Sequence, residues 1–417
     1  MYKRYTLDNG LRVVTEHIPF VQSISIGVWV ETGSKYETKE NNGISHFIEH
    51  MLFKGTRSRS AKEIAEIIDS IGGQINAFTS KECTCFYTKI LDSHYNLAID
   101  LLSDMLFNSN FDNEEIEKEK SVIYEEISMY EDSPEDLAHD LLYQSIFDNS
   151  SLGLPILGIN DSLKRINREK MIKYMQEYYV PNNAVISIVG NFNDDDLLES
   201  IKSKFGRWQR SPLLIKENKN PKYNFQHISK VKDIEQAHLI LGLKGVTLKE
   251  NLRYPLLVVN NILGGSMSSR LFQNIREDKG LVYSIYSYPS SYKEAGLFSI
   301  YAGMNPGQLE EVSMLIYEEL KKLKTKGLTK IELNKSKEQI KGNYILGLES
   351  TSSRMSSIGK TELLLNKIYS PKEIIEYIDK VTMEQVEKVI EEVIDLNNIS
   401  SIVVGKNESN SFFGKAF

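Results

Sequence analysis

Two histidines and a glutamate in one short stretch have the clearest chemical potential in this chain. The segment His46-Phe47-Ile48-Glu49-His50 places the histidines four positions apart. Residues four apart share a helix face, so two imidazole nitrogens can converge on one ion at ~2.0–2.1 Å. Glu49 falls on the same face at about 100° per residue, where it can take a proton from water. The pattern predicts a metal site, although such a histidine pair also arises by chance on exposed helices.

A catalytic zinc ion usually has three protein ligands, so a third ligand is expected elsewhere. Residues 112–130 predict a helix whose apolar stripe contains Ile116, Ile123, Ile127 and Tyr130. Glu119 and Glu126 fall on this same stripe, whereas Glu125 faces away. A carboxylate on a core-facing stripe is costly unless a cation or hydrogen-bond donors meet it. We therefore predict that Glu126 is the third ligand and that Glu119 is the partner of a ligand histidine.

Zinc held in this way would favour hydrolysis. The ion lowers the pKa of a bound water from about 15.7 toward ~7 and polarises the carbonyl under attack. Glu49 would accept the proton as general base and pass it to the departing amine. Peptide hydrolysis with Zn²⁺ as the cofactor is the predicted reaction.

Other chemistries have no comparable signal in the sequence. It contains no G-x-S-x-G elbow and no glycine-rich phosphate loop that opens a helix after a strand. Cys83 and Cys85 have no further cysteine to complete a metal site, and we expect them to pack in the core. The remaining histidines lack such company and are expected on the surface or in the core: His17, His94, His139, His227 and His238.

Chain length, net charge and cysteine content limit the class of protein to which this chain can belong. A chain of 417 residues exceeds what one core usually organises, so two domains are expected. The net charge of -7 argues against nucleic acid as a partner. No run of ~18 apolar residues and no targeting segment is present, so no membrane partner is expected. Two cysteines are too few to staple the fold, which favours a cytoplasmic setting.

Hydrophobic periodicity predicts the same order of elements twice. The first half gives strands and helices at Tyr2–Glu16, Ser23–Val30, Gly43–Phe53, Ala61–Ile71, Gln74–Ile90, Tyr95–Phe147 and Ala184–Val189. The second half gives Ala237–Gly242, Tyr254–Leu263, a helix through Ile275, Leu281–Tyr288, Gly296–Gly303, Pro306–Leu323 and Thr329–Leu348. The prediction is an α+β fold of two homologous domains, each a mostly antiparallel sheet packed against helices.

The domain boundary is placed where composition shifts to Lys, Asn, Pro and Glu. Residues 1–215 form the predicted zinc-binding catalytic domain, 216–230 a linker, and 231–417 a homologous domain that supplies substrate-binding residues. The tail after Gly405, rich in Asn, Ser and Gly, is expected to be mobile.

The motif also carries a family resemblance. H-x-x-E-H inverts the usual zinc-protease order, and Glu126 follows His50 by 76 positions. The chain thereby resembles, over nearly its whole length, the family of pitrilysin, insulin-degrading enzyme and mitochondrial processing peptidase. The resemblance implies that Asn76-Ala77-Phe78-Thr79 is a strand edge that pairs with substrate backbone.

The resemblance also assigns roles in the second half. Arg276 and Tyr283 resemble the family pair that binds substrate and steadies the oxyanion. Without the family, Tyr283 would be a strand residue and Arg276 a solvated one. The Gly264-Gly265 segment resembles, in shorter form, the glycine-rich loop of the non-catalytic processing-peptidase subunit. It could equally be a simple helix end.

The chain has the half length typical of members that pair two subunits around a chamber. The resemblance therefore implies a homodimer in which Arg276 and Tyr283 of one subunit complete the site of the other, with extended, unfolded peptides as substrates. Two alternatives stay open at this point. The chain could be a non-catalytic scaffold subunit that needs an unlike partner, or a metal-assisted hydrolase of something other than peptides.

Overall fold

Residues 2–211 and 220–406 are described by the structure, a computed structural model of the chain. The first part forms strands β1 (Tyr2–Thr6), β2 (Arg12–His17), β3 (Ser23–Val30), β4 (Gln74–Thr79), β5 (Thr84–Leu91) and β6 (Ala184–Gly190). Its helices are α1 (Ile44–Leu52), α2 (Ala61–Ser70), α3 (Tyr95–Asn108), α4 (Asn113–Asp132), α5 (Pro134–Ile146), α6 (Asn160–Leu163), α7 (Arg168–Tyr178) and α8 (Asp194–Phe205).

The second part repeats strands and helices in a similar order. Its strands are β7 (His227–Val231), β8 (Ala237–Lys244), β9 (Val282–Ser291), β10 (Gly296–Met304) and β11 (Ser400–Gly405). Its helices are α9 (Arg253–Leu263), α10 (Leu309–Lys326), α11 (Lys330–Gly347), α12 (Thr351–Leu365), α13 (Pro371–Asp379) and α14 (Met383–Val393). The segment Phe272–Asp278, predicted as part of an ordinary helix, is a π-helix.

The two sheets share one topology. Within the described residues, the first sheet has the order β1-β2-β6-β3-β5-β4, and the second has the order β7-β11-β8-β10-β9. Among these described strands, β2 and β6 are the one parallel pair of the first sheet, and β7 and β11 are the one parallel pair of the second. The first-sheet strands β2, β6, β3, β5 and β4 thus correspond, in this order, to the second-sheet strands β7, β11, β8, β10 and β9. The predicted α+β fold of two homologous, mostly antiparallel domains is confirmed.

The compact units differ from the contiguous segments 1–215 and 231–417 that the sequence suggests. The described parts of the first unit are residues 2–127, 154–211 and 346–370, and those of the second are 128–153, 220–345 and 371–406. Each unit thus takes one helix from the other half of the chain. Helix α12 packs on β3 and β6 in the first unit, and α5 packs on β8 and β11 in the second.

Close packing and buried charge hold α12 on the first sheet. A Cβ on Gly359 would lie 2.2 Å from Nε1 of Trp29, so only glycine lets the helix approach the indole this closely. The fully buried Glu362 carboxylate accepts a hydrogen bond from Arg12 at 3.0 Å and pairs with Arg4 at 2.7 Å. Buried charges paired in this way fix the position of a helix that comes from far along the sequence.

Two predictions fall partly on residues that the structure does not describe. The expected linker, 216–230, lies outside the described residues as far as position 219, and its last residues belong to strand β7. The expected mobile tail lies outside them from position 407 onward. Within residues 2–211 and 220–406, no helix combines the length and the apolar character needed to cross a lipid bilayer.

Candidate metal centre

Helix α1 carries the H-x-x-E-H segment and is held from both its N-terminus and its apolar face. The buried Glu37 carboxylate accepts hydrogen bonds from the backbone N–H groups of Gly43 at 2.7 Å and Ser45 at 2.9 Å. A carboxylate at this end satisfies donors that the helix cannot use itself and complements the helix dipole. Burial raises the pKa of Glu37, while the Ser45 and Gly43 donors oppose that rise.

The opposite face of α1 packs in the core as the sequence predicts. The apolar side chains of the helix are at most 1% exposed, and they are Ile44, Phe47, Ile48, Met51 and Leu52. His46, Glu49 and His50 are partly exposed on the other face. The 3.6-residue period therefore separates packing residues from chemically active ones on one helix.

The structure brings His46, His50 and Glu126 together. The two histidine Nε2 atoms lie 3.2 Å apart. Glu126 Oε2, from helix α4, lies 3.7 Å from Nε2 of His46 and 3.6 Å from Nε2 of His50. Bonds of ~2.05 Å at tetrahedral angles place ligand atoms about 3.3–3.4 Å apart. All three distances are close to this value, so the donor set matches a zinc ion with an open fourth position.

An unpartnered oxygen of Glu126 and the neutral state of His46 support the same conclusion. Glu126 Oε2 is buried and has no hydrogen-bond partner among the described residues. An acceptor left in this state is costly unless a cation or a donor meets it. Burial and, to a smaller extent, His50 lower the pKa of His46 to about 3. The His46 imidazole is therefore neutral at pH 7, which is the form that binds metal.

Glu119 and Lys54 orient the second histidine. Glu119 is 5% exposed, as predicted from its place on the α4 stripe. Its Oε1 lies 2.8 Å from Nδ1 of His50, and its Oε2 lies 2.5 Å from Nζ of Lys54. A carboxylate at Nδ1 places the proton there and directs the Nε2 lone pair toward a metal.

Glu49 is held by the strand next to α1. The Thr79 hydroxyl, at the end of β4, donates a hydrogen bond to Oε2 of Glu49 at 2.5 Å. Burial raises the pKa of the Glu49 carboxyl, while the Thr79 hydrogen bond and His50 oppose the rise. A carboxyl with a raised pKa is suited to accept a proton from water and to release it later.

The predicted substrate strand is an edge strand. Strand β4 pairs only with β5, so its other side is free within the described part of the sheet. Ala77 N donates to Oδ1 of its neighbour Asn76 at 2.8 Å rather than to β5. Ile75 and Ala77 pack against the core, whereas the Phe78 ring lies on the other face, 5.6 Å from the Trp29 ring. An exposed edge of this kind can accept an added strand.

Arg276 and Tyr283 belong to the second unit, whereas His46, His50 and Glu126 belong to the first. The Arg276 guanidinium lies 4.7 Å from the centre of the Phe272 ring, and Tyr283 is 75% exposed at the start of β9. The Gly264 carbonyl accepts from Ser287 N at 3.0 Å, so this turn pairs with the outer side of β9. The Gly264-Gly265 segment directly follows Leu263, the last residue of α9, and this position agrees with the alternative prediction that the segment ends the helix.

No second candidate metal site is found in residues 2–211 and 220–406. Among the described residues, His46, His50 and Glu126 are the one group of three or more His, Cys, Asp or Glu whose ligand atoms lie within 4.8 Å of one another. Cys83 and Cys85 are buried and free, and burial raises the pKa of both thiols. They are therefore core residues, as the sequence predicts.

Three contributions to the site are not predicted from the sequence, namely those of Glu37, Lys54 and the Thr79 hydroxyl. An acid ahead of a helix is a recognisable signal for Glu37. Lys54 lies just beyond the end of α1 and carries no comparable signal. The Thr79 contact depends on how β4 lies against α1, which periodicity alone does not give.

Comparison with known proteins places this centre in a family. A sequence model described as "Insulinase (Peptidase family M16)" matches residues 12–159, and one described as "Peptidase M16 inactive domain" matches residues 165–340. An "uncharacterized zinc protease", YmxG of Bacillus subtilis, is 51% identical over 93% of this chain and 94% of its own length. The chain belongs to peptidase family M16. The family resemblance noted from the sequence is confirmed.

Two solved structures share the fold of this chain over nearly its whole length. A protease from Helicobacter pylori has a TM-score of 0.91 at 24% identity and covers 97% of this chain and 99% of its own. A structure titled "peptidase M16 inactive domain", from Pseudomonas fluorescens, also has a TM-score of 0.91, at 17% identity over 99% of both chains. The α1–α4 cluster lies within the residues that match the Insulinase model. Strands β7 to β10 of the second sheet lie within the residues that match the inactive-domain model, and β11 lies beyond them.

Proposed function

We propose that this chain is an active zinc metallopeptidase that hydrolyses peptides bound in extended conformation. The observation that carries the proposal is the convergence of His46, His50 and Glu126 at distances that suit one tetrahedral ion, with Glu49 beside them. Relatives named zinc proteases add support, because they match the chain over nearly its full length.

His46, His50 and Glu126 would hold the ion, and Glu119 would orient His50. When bound, zinc supplies Lewis-acid chemistry, since it lowers the pKa of water and polarises a carbonyl. Glu49 Oε2 accepts the Thr79 hydrogen bond, which leaves Oε1 to take the proton from the attacking water. The same carboxyl then delivers this proton to the nitrogen of the departing amine.

The free side of β4 is the proposed site for substrate backbone. Its residues Asn76 to Thr79 lie next to the helix that carries Glu49. An extended peptide added to this edge would form main-chain hydrogen bonds that do not depend on side-chain identity. Such binding favours unfolded segments, including presequence-like ones, over folded proteins.

The proposal includes a homodimer. Arg276 and Tyr283 are exposed in the second unit, where they are accessible to bind substrate and steady the oxyanion. In a paired chamber of the half-length type, each subunit would supply this pair to the site of the other. Size-exclusion chromatography with light scattering measures the state directly, and a monomer that is fully active would contradict this part.

A non-catalytic subunit is the second candidate, because the second half matches a model described as inactive and one structural neighbour bears that title. Helix α1 and Glu126 nevertheless retain all the donors that a metal needs. Activity of the purified chain without an unlike partner would separate the two candidates.

The test is cleavage of a mixed peptide library by the zinc-loaded chain, followed by mass spectrometry. We expect cleavage that a chelator abolishes and zinc restores. The variant Glu49→Gln should bind zinc normally and lose activity by about 10²- to 10⁴-fold, as expected for loss of a general base. A folded, zinc-bound Glu49→Gln variant that cleaves at the parent rate would refute the mechanism. Cleavage of ester or amide compounds but of no peptide would refute the substrate class.

A further inference from the structure

Strand β4 presents two different faces along its length. Ile75, Ala77 and Thr79 are partly buried, whereas the residues between them are exposed. Side chains two apart along a strand point the same way, so Thr79 lies on the face whose members pack toward the core. Its hydroxyl consequently reaches Glu49 on α1, at 2.5 Å.

Neighbouring hydroxyls fix the direction of this hydrogen bond. Thr84, the partner of Thr79 across the sheet, donates its hydroxyl proton to the carbonyl of Thr32 at 3.0 Å. The Thr84 oxygen lies 3.4 Å from the Thr79 oxygen, a long contact that competes weakly for the Thr79 proton. Because a carboxylate is the stronger acceptor and lies closer, the Thr79 proton points to Glu49.

Thr79 also lies on the edge proposed to bind substrate. Ser80 N–H donates to the carbonyl of Cys83 where β4 and β5 meet. Antiparallel pairs alternate between bonded and non-bonded, so the Ala77–Phe86 pair is non-bonded and the Ala77 N–H points away from β5. The acceptor of the Ala77 N–H is the side chain of Asn76. A peptide added to this edge would therefore be positioned by the same strand whose last side chain holds Glu49. A single rigid element would then fix the distance between the base and the scissile bond, which is what effective general-base catalysis requires.

We propose that Thr79 is a positioning residue for the general base, acting through its hydroxyl, in addition to any backbone contact with substrate. The inference rests on the proposed peptidase function. The hydroxyl of Thr79 contacts Glu49 and, at longer range, Thr84, so its effect on the reaction passes through Glu49. Loss of the hydroxyl should therefore lower kcat and leave the KM and the zinc affinity close to those of the parent.

Three variants separate this role from the alternatives. Thr79→Val keeps the shape and removes the donor, and Thr79→Ser keeps the donor. Thr88→Val is the matched control, since Thr88 is a buried threonine on the neighbouring strand β5 whose hydroxyl has no partner among the described residues. We expect Thr79→Val to lower kcat by about 10- to 100-fold, the effect of losing a hydrogen bond to a charged group. Thr79→Ser should recover most of this loss, and Thr88→Val should have the parent kcat.

Two readouts are independent of turnover. Zinc affinity, measured by competition with a chelator, should be equal in the parent and the variants. Affinity for an uncleaved peptide, measured in the Glu49→Gln background, should be unchanged by Thr79→Val. A weaker peptide affinity with an unchanged kcat would make Thr79 a substrate-binding residue and would overturn the proposal.

Crystals of the parent and Thr79→Val proteins complete the test. The Glu49 carboxylate should keep one position in the parent and in Thr88→Val, and should move or split in Thr79→Val. A Glu49 that stays fixed in Thr79→Val would overturn the inference while the peptidase function stands. A zinc-loaded parent that cleaves no peptide would overturn both, so the two failures are distinguishable.

Discussion

Neutralising Glu119 should weaken zinc binding although Glu119 is not itself a proposed ligand. Its carboxylate lies 2.8 Å from Nδ1 of His50 and is 5% exposed, so this hydrogen bond is little weakened by water. The variant Glu119→Gln keeps the size but loses the charge. It also places an amide where Lys54 Nζ now lies 2.5 Å from a carboxylate oxygen.

The expected magnitude follows from what such partners contribute in metal sites. Losing the carboxylate behind a ligand histidine costs about 10- to 100-fold in metal affinity. This corresponds to about 1.4–2.7 kcal/mol at 25 °C. Glu126→Gln should cost more than Glu119→Gln, because it removes a ligand atom.

The assay is zinc competition with a chromophoric chelator at constant pH, with folding checked by circular dichroism. Glu125→Gln is the control, since it removes one charge from the same helix at an exposed position and should bind zinc like the parent. The predicted order of affinity is parent and Glu125→Gln, then Glu119→Gln, then Glu126→Gln. Equal affinity of Glu119→Gln and Glu125→Gln would refute the role of the His50–Glu119 pair.

Two further predictions concern stability. Gly359→Ala should destabilise the protein by about 1–3 kcal/mol, because its methyl group would overlap the Trp29 indole, and should lower the melting temperature. Gly342 in helix α11 is the control, because no atom lies within 4 Å of the Cβ that alanine would add, and Gly342→Ala should stabilise the protein by about 0.5–1 kcal/mol. Equal shifts of the melting temperature in the two variants would contradict the packing argument. Burial alone would raise the pKa of Glu332, but hydrogen bonds from Arg270 and a backbone N–H outweigh it and bring the pKa to about 2, from an ordinary 4.5. A carboxyl whose pKa is lowered by folding stabilises the protein at pH values above its ordinary pKa. The parent should therefore have a larger free energy of unfolding than Glu332→Gln in denaturant titrations, and this difference should shrink as the pH falls from 4.5 to about 2. A difference that stays constant with pH would contradict this prediction.

Helix periodicity accounts for most of the candidate centre. The 100° step separates His46, Glu49 and His50 from the packing face of α1, and it predicts the burial of Glu119 on α4. One member of the predicted α4 stripe, Tyr130, is 48% exposed instead, because the stripe does not stay buried to the end of the helix.

Long-range packing limits what the sequence can predict about the fold. Helix α12 meets the first sheet through Gly359, small polar side chains such as Ser352 and the buried Met355, and this mixed face gives only a weak apolar period. The sequence therefore gives little sign that this helix packs in the first unit. Most of strand β7 was expected to be linker, because the strand is polar and mostly exposed at the edge of its sheet. Its pairing with β11, far along the sequence, is what makes it a strand.

Side-chain contacts across elements are the other limit. Thr79 reaches Glu49 only because β4 lies against α1, and Lys54 reaches Glu119 only because the chain turns at the end of α1. Neither geometry is set by spacing along the chain. The donor types could be predicted from the sequence, but the residues that orient them required coordinates.

Zinc K-edge X-ray absorption on the purified, zinc-loaded chain tests the central claim most directly. We predict one zinc per chain, nitrogen and oxygen neighbours at ~2.0–2.2 Å, and multiple scattering from two imidazoles. The signal should lose one imidazole in His50→Ala. A sulfur neighbour at ~2.3 Å, or a spectrum unchanged by His50→Ala, would place the metal elsewhere and contradict the account.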